Sequence, residues 1–430
     1  MLYFFILGDV LGAGVYVLIG KIAAESGGAV WVPLTVALLL ALLTAASYAE
    51  LATKYPRAGG ASYYATRAYG PALGFFTGYC MLAAGIVSVA ALARGFAGDY
   101  LDALVTLPVV LVAVLFLVLL ALLNARGIRE STRVNTFATL LETGGLLLVV
   151  ACGVWIVVRG DGDAGRLLQL GTESASPVAA VMGGAVLAYY SFVGFETSVN
   201  VAEETLDPAR SYPRALFGAL ATAGLVYAAV GAAAAAAVPT ATLAASDGPL
   251  LEVVRAAGTV PPRLFAFVAL VAVANGALLT GIMTSRLTYG MAAQGLLPAF
   301  LTRVLPNRRT PWAAIAATTA VSALLAATGE IDTLAGTLVL LLLAVFLAVN
   351  TAVLVLRRDG SAPAAHFRAP TVVPVLGALS CVVLATRIEA EVWVRGLVLM
   401  GVGAALGALM AVRRRRTAAA ADEAPLPPSR

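Results

Sequence analysis

The chain has 430 residues, 61% hydrophobic and only 12% charged, with a mean hydropathy of +0.93 and a formal charge of +5. Soluble domains run near 45–50% apolar and about 25% charged, so this surplus of apolar surface must face lipid. A soluble enzyme, a nucleic-acid-binding protein and a disordered chain are excluded. A membrane-spanning helix takes about 20 apolar residues. Twelve apolar runs follow one another, at 3–20, 30–53, 71–97, 104–124, 135–158, 178–201, 212–238, 263–291, 311–328, 332–356, 371–388 and 392–412. Alternating strands of about ten residues are missing, which excludes a spanning barrel. The expected fold class is an all-α integral membrane protein with twelve transmembrane helices.

Charge orients these spans. With the N-terminus in the cytoplasm, nineteen Lys and Arg fall in cytoplasmic loops and the tail, among them Lys54, Arg57, Arg67, Arg126, Arg129, Arg133, Arg357, Arg358 and Arg413 to Arg416. The opposite face carries eight, and Arg286 lies inside a span. This is the bias of the positive-inside rule, and one missed span would invert every later loop. Both termini are expected in the cytoplasm. The first run begins at residue 2 or 3 without a basic flank, and Asp9, Gly12 and Gly14 interrupt it, so it does not read as a signal peptide; the natural chain is expected to start further upstream. After Arg416 the chain is rich in Ala, Pro and charge, and residues 414–430 are expected to form a disordered cytoplasmic tail. Arg-dominated, Ala-rich usage points to a GC-rich bacterial genome and hence a bacterial plasma membrane.

Two spans contain breaks. The first reads Leu7-Gly8-Asp9-Val10-Leu11-Gly12-Ala13-Gly14-Val15-Tyr16. Each glycine weakens a helix by about 1 kcal/mol relative to Ala; Gly8 and Gly12 also fit a small-xxx-small packing pair. The sixth reads Tyr189-Tyr190-Ser191-Phe192-Val193-Gly194-Phe195-Glu196, with a glycine beside a carboxylate at membrane depth. A charge there costs several kcal/mol unless it is paired or wetted. The breaks open two successive five-helix blocks, the pattern of inverted-repeat transporters with a midplane site. An unwound turn frees N–H groups for an anion and carbonyls for a cation. Two facing breaks suit a zwitterionic amino acid.

Four stretches carry a family resemblance: Gly12 to Leu18; Tyr48-Ala49-Glu50-Leu51 running to Tyr55-Pro56-Arg57-Ala58-Gly59-Gly60-Ala61-Ser62-Tyr63; Ser191 to Glu196 with Glu203-Glu204-Thr205-Leu206-Asp207-Pro208-Ala209-Arg210; and Arg286 to Met291 with Gly295-Leu296-Leu297-Pro298. In this order the chain resembles, over essentially its whole length, a bacterial permease of the amino acid–polyamine–organocation superfamily. The resemblance implies a five-plus-five inverted repeat with broken first and sixth helices and alternating access. It implies a transport core at 1–360 (repeat one about 1–160, repeat two about 175–360) and two peripheral helices at 361–413.

The resemblance also implies the site. The substrate carboxylate would sit on Gly12, Ala13 and Gly14, where relatives often have Ser or Thr in place of Ala13. The amino group would meet carbonyls of Val10, Tyr190, Ser191 and Val193 beside Gly194. Ala84, Gly85 and Val89 of the third span would line the side-chain pocket, with one polar contact from Thr280. These small or apolar walls predict a neutral side chain, because a bare cation there carries a large desolvation cost. Tyr190 matches an aromatic gate, or else simply packs; Asp9 and Glu196 flank the breaks and are expected in gate networks.

Glu142, in Leu140-Leu141-Glu142-Thr143-Gly144-Gly145, stands where proton-coupled relatives of the family have lysine, seven residues after the position matched by Asn135. A carboxylate there can take up a proton or ligate Na⁺, with Thr284 and Ser285 as hydroxyl partners. A snorkelling or helix-bonding acid, and hydroxyls bonded to their own helix, remain the alternatives. No other cofactor is expected, and the partners are an amino acid and the bilayer, without nucleic acid. Cys80, Cys152 and Cys381 lie in apolar runs, and His366 has no clustered partner, so neither metal nor catalysis is expected. An intramembrane enzyme would need a nucleophile–base pair or a metal cluster, and a channel a filter; the sequence offers none. Within transporters, symport and exchange both stay open.

Overall fold

The computed structural model describes residues 2–57, 59–127, 132–171, 176–205, 207–359 and 366–422. Arg129, Leu206, residues 423–430, and the side chains of Arg133, Asn135, Glu203, Glu204 and Arg413 to Arg416 lie outside the described residues. Those described form helices and turns with no strand.

Every apolar run holds a helix. In chain order the helices are α1 (Leu2–Val10), α2 (Gly14–Ser26), α3 (Trp31–Lys54), α4 (Gly60–Tyr69), α5 (Pro71–Phe96), α6 (Asp99–Asp102), α7 (Val109–Arg126), α8 (Thr132–Val158) and α9 (Pro177–Tyr190). They continue as α10 (Pro208–Ala237), α11 (Thr240–Ala245), α12 (Pro249–Ala257), α13 (Pro262–Ala293), α14 (Trp312–Thr328), α15 (Ile331–Leu356), α16 (Val372–Ala385) and α17 (Ala390–Asp422). Among the described residues, eight helices are long and apolar enough to cross a bilayer, and α1 with α2 makes a ninth span bent by 45°. The remaining runs hold α9, α14 and α16, shorter apolar helices of 14, 17 and 14 residues. At 1.5 Å per residue these reach only about 21–26 Å.

The packing explains which helices stay apolar all round. α5 and α15 are the most enclosed of the long apolar helices and pack on one another more extensively than any other pair. α7 and α17 are the least enclosed, and Leu111, Leu115, Leu119 and Leu122 of α7 are all more than half exposed. Such leucines belong against lipid. α2 packs on α9, α3 on α10, α5 on α13 and α7 on α14. Four of the five spans of the first block thus meet the span five places later, the pairing a two-fold axis in the membrane plane produces, while the fifth, α8, packs on α10, α13 and α12. α16 packs on α15 and α3, and α17 on α15 and α5.

One expectation is met and one is not. The sixth run, expected as a broken span over 178–201, is broken: the α-helix stops at Tyr190 and a 3₁₀ helix resumes only at Thr197–Glu204. Gly194 has φ +127°, a value no α-helix accommodates. At the other end, α17 runs to Asp422, so residues expected in a disordered tail begin as helix. The alanines after Arg416 are the strongest helix formers and extend the last turn.

Candidate functional site

The first break follows from its glycines. α1 ends at Val10, Leu11 N–H donates to Leu7 O at 2.7 Å, and Gly12 N–H folds back onto Val10 O at 2.7 Å. α2 then starts at Gly14 with no side chain capping it. The first amides of a helix have no partner inside it and carry the positive end of its dipole. In the second break, i→i+3 bonds join Ser191 N–H to Ala188 O (3.0 Å) and Val193 N–H to Tyr190 O (3.1 Å). Glu196 Oε2 accepts the Gly194 N–H at 2.8 Å.

The breaks lie against each other. A Cβ on Gly194 would meet Asp9 O at 2.6 Å, and one on Gly14 would meet Tyr190 Cδ1 at 2.9 Å and Ser191 Cα at 3.1 Å. Thr197 Oγ1 donates to Asp9 Oδ2 and, at 2.8 Å, to Gly194 O, tying one break to the other. Phe195 anchors the second break: its ring meets Tyr48 of α3 edge-on at 5.8 Å and stacks on Phe346 of α15 at 5.5 Å. The expected gate residues Asp9 and Glu196 are therefore bonded into the breaks themselves.

Between the breaks and α5, α8 and α13 lies a cavity of about 510 Å³. Of the residues expected from sequence it is lined by Asp9, Val10, Gly12, Ala13, Gly14, Ala84, Gly85, Glu142, Tyr190, Ser191, Val193, Gly194, Glu196, Thr280 and Thr284. Ser191 Oγ is buried without a hydrogen-bond partner. Tyr190 OH and Ser88 Oγ share a hydrogen bond at 3.2 Å across the wall. Toward one end the lining residues Gly59 and Arg286 are exposed; toward the other, Leu92 and Leu338 are buried. The cavity opens at the end that carries the α3–α4 turn.

Three expectations need correction, and Gly85 gains a second role. Val89 lies off this cavity, beside a separate void of about 20 Å³. One residue turns an α-helix by about 100°, so with Ala84 and Ser88 facing the cavity Val89 looks toward α7 and α14. Ser285 also faces away: its Oγ accepts Asn124 Nδ2 at 3.1 Å and donates to Ile282 O at 2.9 Å. Gly85 serves close packing as well as the wall, since a Cβ there would meet Thr284 Oγ1 at 2.3 Å. Val10 O is already used twice, by Gly12 N–H and by Tyr227 OH at 2.6 Å.

Glu142 is 2% exposed and faces the cavity. Asn275 Nδ2 donates to its Oε1 at 3.1 Å, and Tyr16 OH donates to its backbone O at 2.7 Å. Thr284 is nine residues along α13 from Asn275, about 13 Å by helical rise, so the structure does not bring Glu142, Thr284 and Ser285 into one ion site. Asn275, Ser88 and Tyr227 went unforeseen. Each is a common residue type in its helix and carries no signal in sequence until its partner is known.

With this geometry in place, the comparisons decide the family. The sequence pattern described as amino acid permease matches residues 1–408. The chain belongs to the amino acid permease family. A branched-chain amino acid permease of Bacillus subtilis, BcaP, is 27% identical over 420 residues, covering 92% of this chain and 89% of that protein. An uncharacterized transporter of Mycobacterium tuberculosis is 31% identical over 412 residues, 95% and 90% of the two chains. A vacuolar cationic amino acid transporter of Arabidopsis thaliana is 28% identical over 373 residues, 82% of this chain and 61% of that protein. This permease is thus a multi-pass membrane transporter of the amino acid class and not an enzyme.

Proposed function

We propose that the permease is a secondary active transporter that carries amino acids with neutral side chains across the plasma membrane by alternating access, coupled to a proton or sodium gradient, with both termini cytoplasmic. One observation carries this reading: the uncapped N-terminus of α2 opens into the cavity opposite the unpartnered hydroxyl of Ser191. A carboxylate placed there meets free amides and the dipole, while carbonyls of the second break face its α-amino group. The α-carbon charges are met largely by backbone, as expected for a site that reads the common part of every amino acid. Around the side chain stand Ala84, Leu92, Leu279, Leu338 and Leu342. The acids on the wall are engaged locally: Asp9 with Thr197, Glu196 with Gly194 N–H and Glu142 with Asn275. The relatives include carriers named for branched-chain and for cationic amino acids, so side-chain charge is argued from the wall and not from kinship.

Uptake of radiolabelled amino acids into proteoliposomes, with pH and sodium gradients imposed separately, tests the reading. Alanine or leucine should outcompete arginine and lysine. Arginine or lysine winning that competition overturns the neutral assignment; counterflow without any gradient-driven accumulation favours exchange.

A further inference from the structure

We propose that the α13–α14 loop is a docking surface for an anionic phospholipid, whose headgroup phosphate is held by Arg126, Arg303, Arg308 and Arg309 in the leaflet at the open end of the molecule. The inference is independent of what the cavity carries. α13 bears Arg286 at the cavity mouth and ends at Ala293; the chain then makes a 3₁₀ turn at Ala299–Thr302 and enters α14 at Trp312. Arg303, Arg308 and Arg309 of this loop, and Arg126 at the end of α7, are all exposed. From Leu287 to Gly329 the sequence contains no Asp or Glu. Among the described residues none of the four arginines forms an ion pair. At the same end Arg357 is paired with Glu50 and Arg67 with Asp359, so this concentration of free positive charge belongs to one side of the mouth.

The loop holds these charges in place. Leu305 N–H donates to Thr310 O at 2.9 Å and Arg309 N–H to Leu305 O at 2.8 Å, which closes a tight turn. Two further bonds clamp that turn onto the C-terminus of α7: Arg308 Nη1 donates to Arg126 O at 2.8 Å, and Thr310 Oγ1 donates to Ala125 O at 2.7 Å. Leu301, in the 3₁₀ turn, is buried and anchors the other side. The Arg308 bond takes one of the five N–H groups of a guanidinium and leaves the rest for a ligand. Arg126 and Arg308 are thereby fixed side by side, with Arg309 next in the chain. Like charges held together repel, and an anion among them turns the repulsion into attraction. A phosphate suits the fork geometry of guanidinium groups best.

The apolar neighbours decide which phosphate. Phe300, Val304 and Trp312 are exposed beside the arginines, and Leu122, one turn before Arg126, continues the lipid-facing stripe of α7. Trp312 is the one tryptophan of four at this end: Trp31 and Trp393 stand in the first turns of α3 and α17, and Trp155 in the last turn of α8, all at the sealed end. Aromatic rings settle at the level of the headgroups, and a basic residue near the surface draws anionic lipid about fivefold. A soluble phosphate would use the arginines and leave Phe300, Val304 and Trp312 in water. A phospholipid uses both, with its phosphate on the guanidinium groups and its chains along the apolar side chains.

The test is quenching of Trp312 fluorescence in phosphatidylethanolamine vesicles that contain a minor fraction of brominated phosphatidylglycerol or brominated phosphatidylcholine. Trp31, Trp155 and Trp393 are replaced by Phe so that Trp312 alone reports. Phosphatidylglycerol should quench at a mole fraction at least about tenfold lower than phosphatidylcholine. Arg308→Gln with Arg309→Gln should bring the two lipids within about twofold of each other. Arg210→Gln with Arg214→Gln removes the same charge from the start of α10, also at the open end, and should leave the preference intact. Should the Phe variant fail to fold, native mass spectrometry of the protein with its own tryptophans, counting retained phosphatidylglycerol against phosphatidylcholine for each arginine pair, gives the same comparison. Equal quenching or retention of the two lipids overturns the proposal. So does an equal loss from both arginine pairs, which would mean unlocalised charge attraction. Displacement of the lipid by inorganic phosphate at constant ionic strength also overturns it, in favour of a soluble anion.

Discussion

The two ends of the central cavity are built differently. At the sealed end, the α11–α12 segment is pressed onto α2 and α6. A Cβ on Gly20 would meet Leu243 O at 2.2 Å, and Asp99 Oδ2 accepts Ser246 Oγ (2.6 Å), Asp247 N–H (2.9 Å) and Gly248 N–H (3.3 Å). Tyr100 OH bonds Tyr16 O at 2.6 Å, and the Tyr16 and Tyr100 rings meet Phe265. At the open end the bonds run between the two breaks and leave the cavity mouth uncovered. Beside that mouth a charged bracket holds α3, α4 and α15: Arg357 forks onto Glu50 through two 2.7 Å bonds, and Arg67 pairs with Asp359 at 2.7 Å. The sealed end rests on contacts to backbone that must be undone together. At the open end the charged bracket joins helices to one another, and Phe195 rests the second break on two of them, α3 and α15. In the alternating-access carrier proposed above the two ends would exchange these roles.

The largest effect that would break this picture belongs to the breaks themselves. Gly194→Leu forces a side chain into a φ of +127° and onto Asp9 O, and should abolish leucine uptake while the protein still inserts. Gly144→Ala is the sharpening control. Its added Cβ would meet no atom within 4 Å and lies off the cavity, so uptake should stay within about threefold of wild type. If Gly194→Leu transported normally, the breaks would not form the site.

Next comes the bracket. Glu50 is 1% and Arg357 11% exposed at the side chain, and Ala369 N–H also donates to Glu50 at 2.9 Å. Removing one partner of such a pair strands a buried charge, so Arg357→Ala should lower stability by about 3–5 kcal/mol, read as a fall in Tm of the detergent-purified protein. Arg67→Ala breaks a pair about one-third exposed and should cost below about 1 kcal/mol. Equal losses from the two variants would mean that the bracket acts as one exposed network, without a buried core.

How much of this was legible in the sequence depends on the kind of signal. The breaks were legible because glycine and a carboxylate inside an apolar run violate the rules of a lipid-facing helix; Gly12, Gly14, Gly194 and Glu196 announce themselves. Glu142 was visible for the same reason. Partnerships were not. Glu50 meets Arg357 across 307 positions, and Asn275 meets Glu142 across 133. Asparagine in a long helix looks the same whether it faces a cavity or a neighbour. Helical phase was the other loss: Val89 and Ser285 were placed correctly along their helices and wrongly around them. The short helices α9, α14 and α16 left the number of spans a matter of composition alone.

The smallest expected effect concerns the sealed end and decides what seals it. Asp99→Ala removes three hydrogen bonds to one carboxylate oxygen, two of them from backbone N–H groups that would lose their acceptor. Charge-assisted bonds of this kind contribute about 1.5–3 kcal/mol, but water reaches the loop once it lifts, so a net loss of about 2 kcal/mol is expected. That is roughly a thirtyfold shift toward opening at this end. Lys21→Ala breaks a 3.3 Å pair to Asp247 whose side chains are 22% and 42% exposed, and should shift the same equilibrium by less than about fivefold. The readout is the labelling rate of an Ala13→Cys reporter by a membrane-impermeant maleimide applied from the α11–α12 side. The three native cysteines, Cys80, Cys152 and Cys381, are buried and should react slowly. If Lys21→Ala accelerated labelling more than Asp99→Ala, the ion pair and not the backbone-reading carboxylate would hold this end shut.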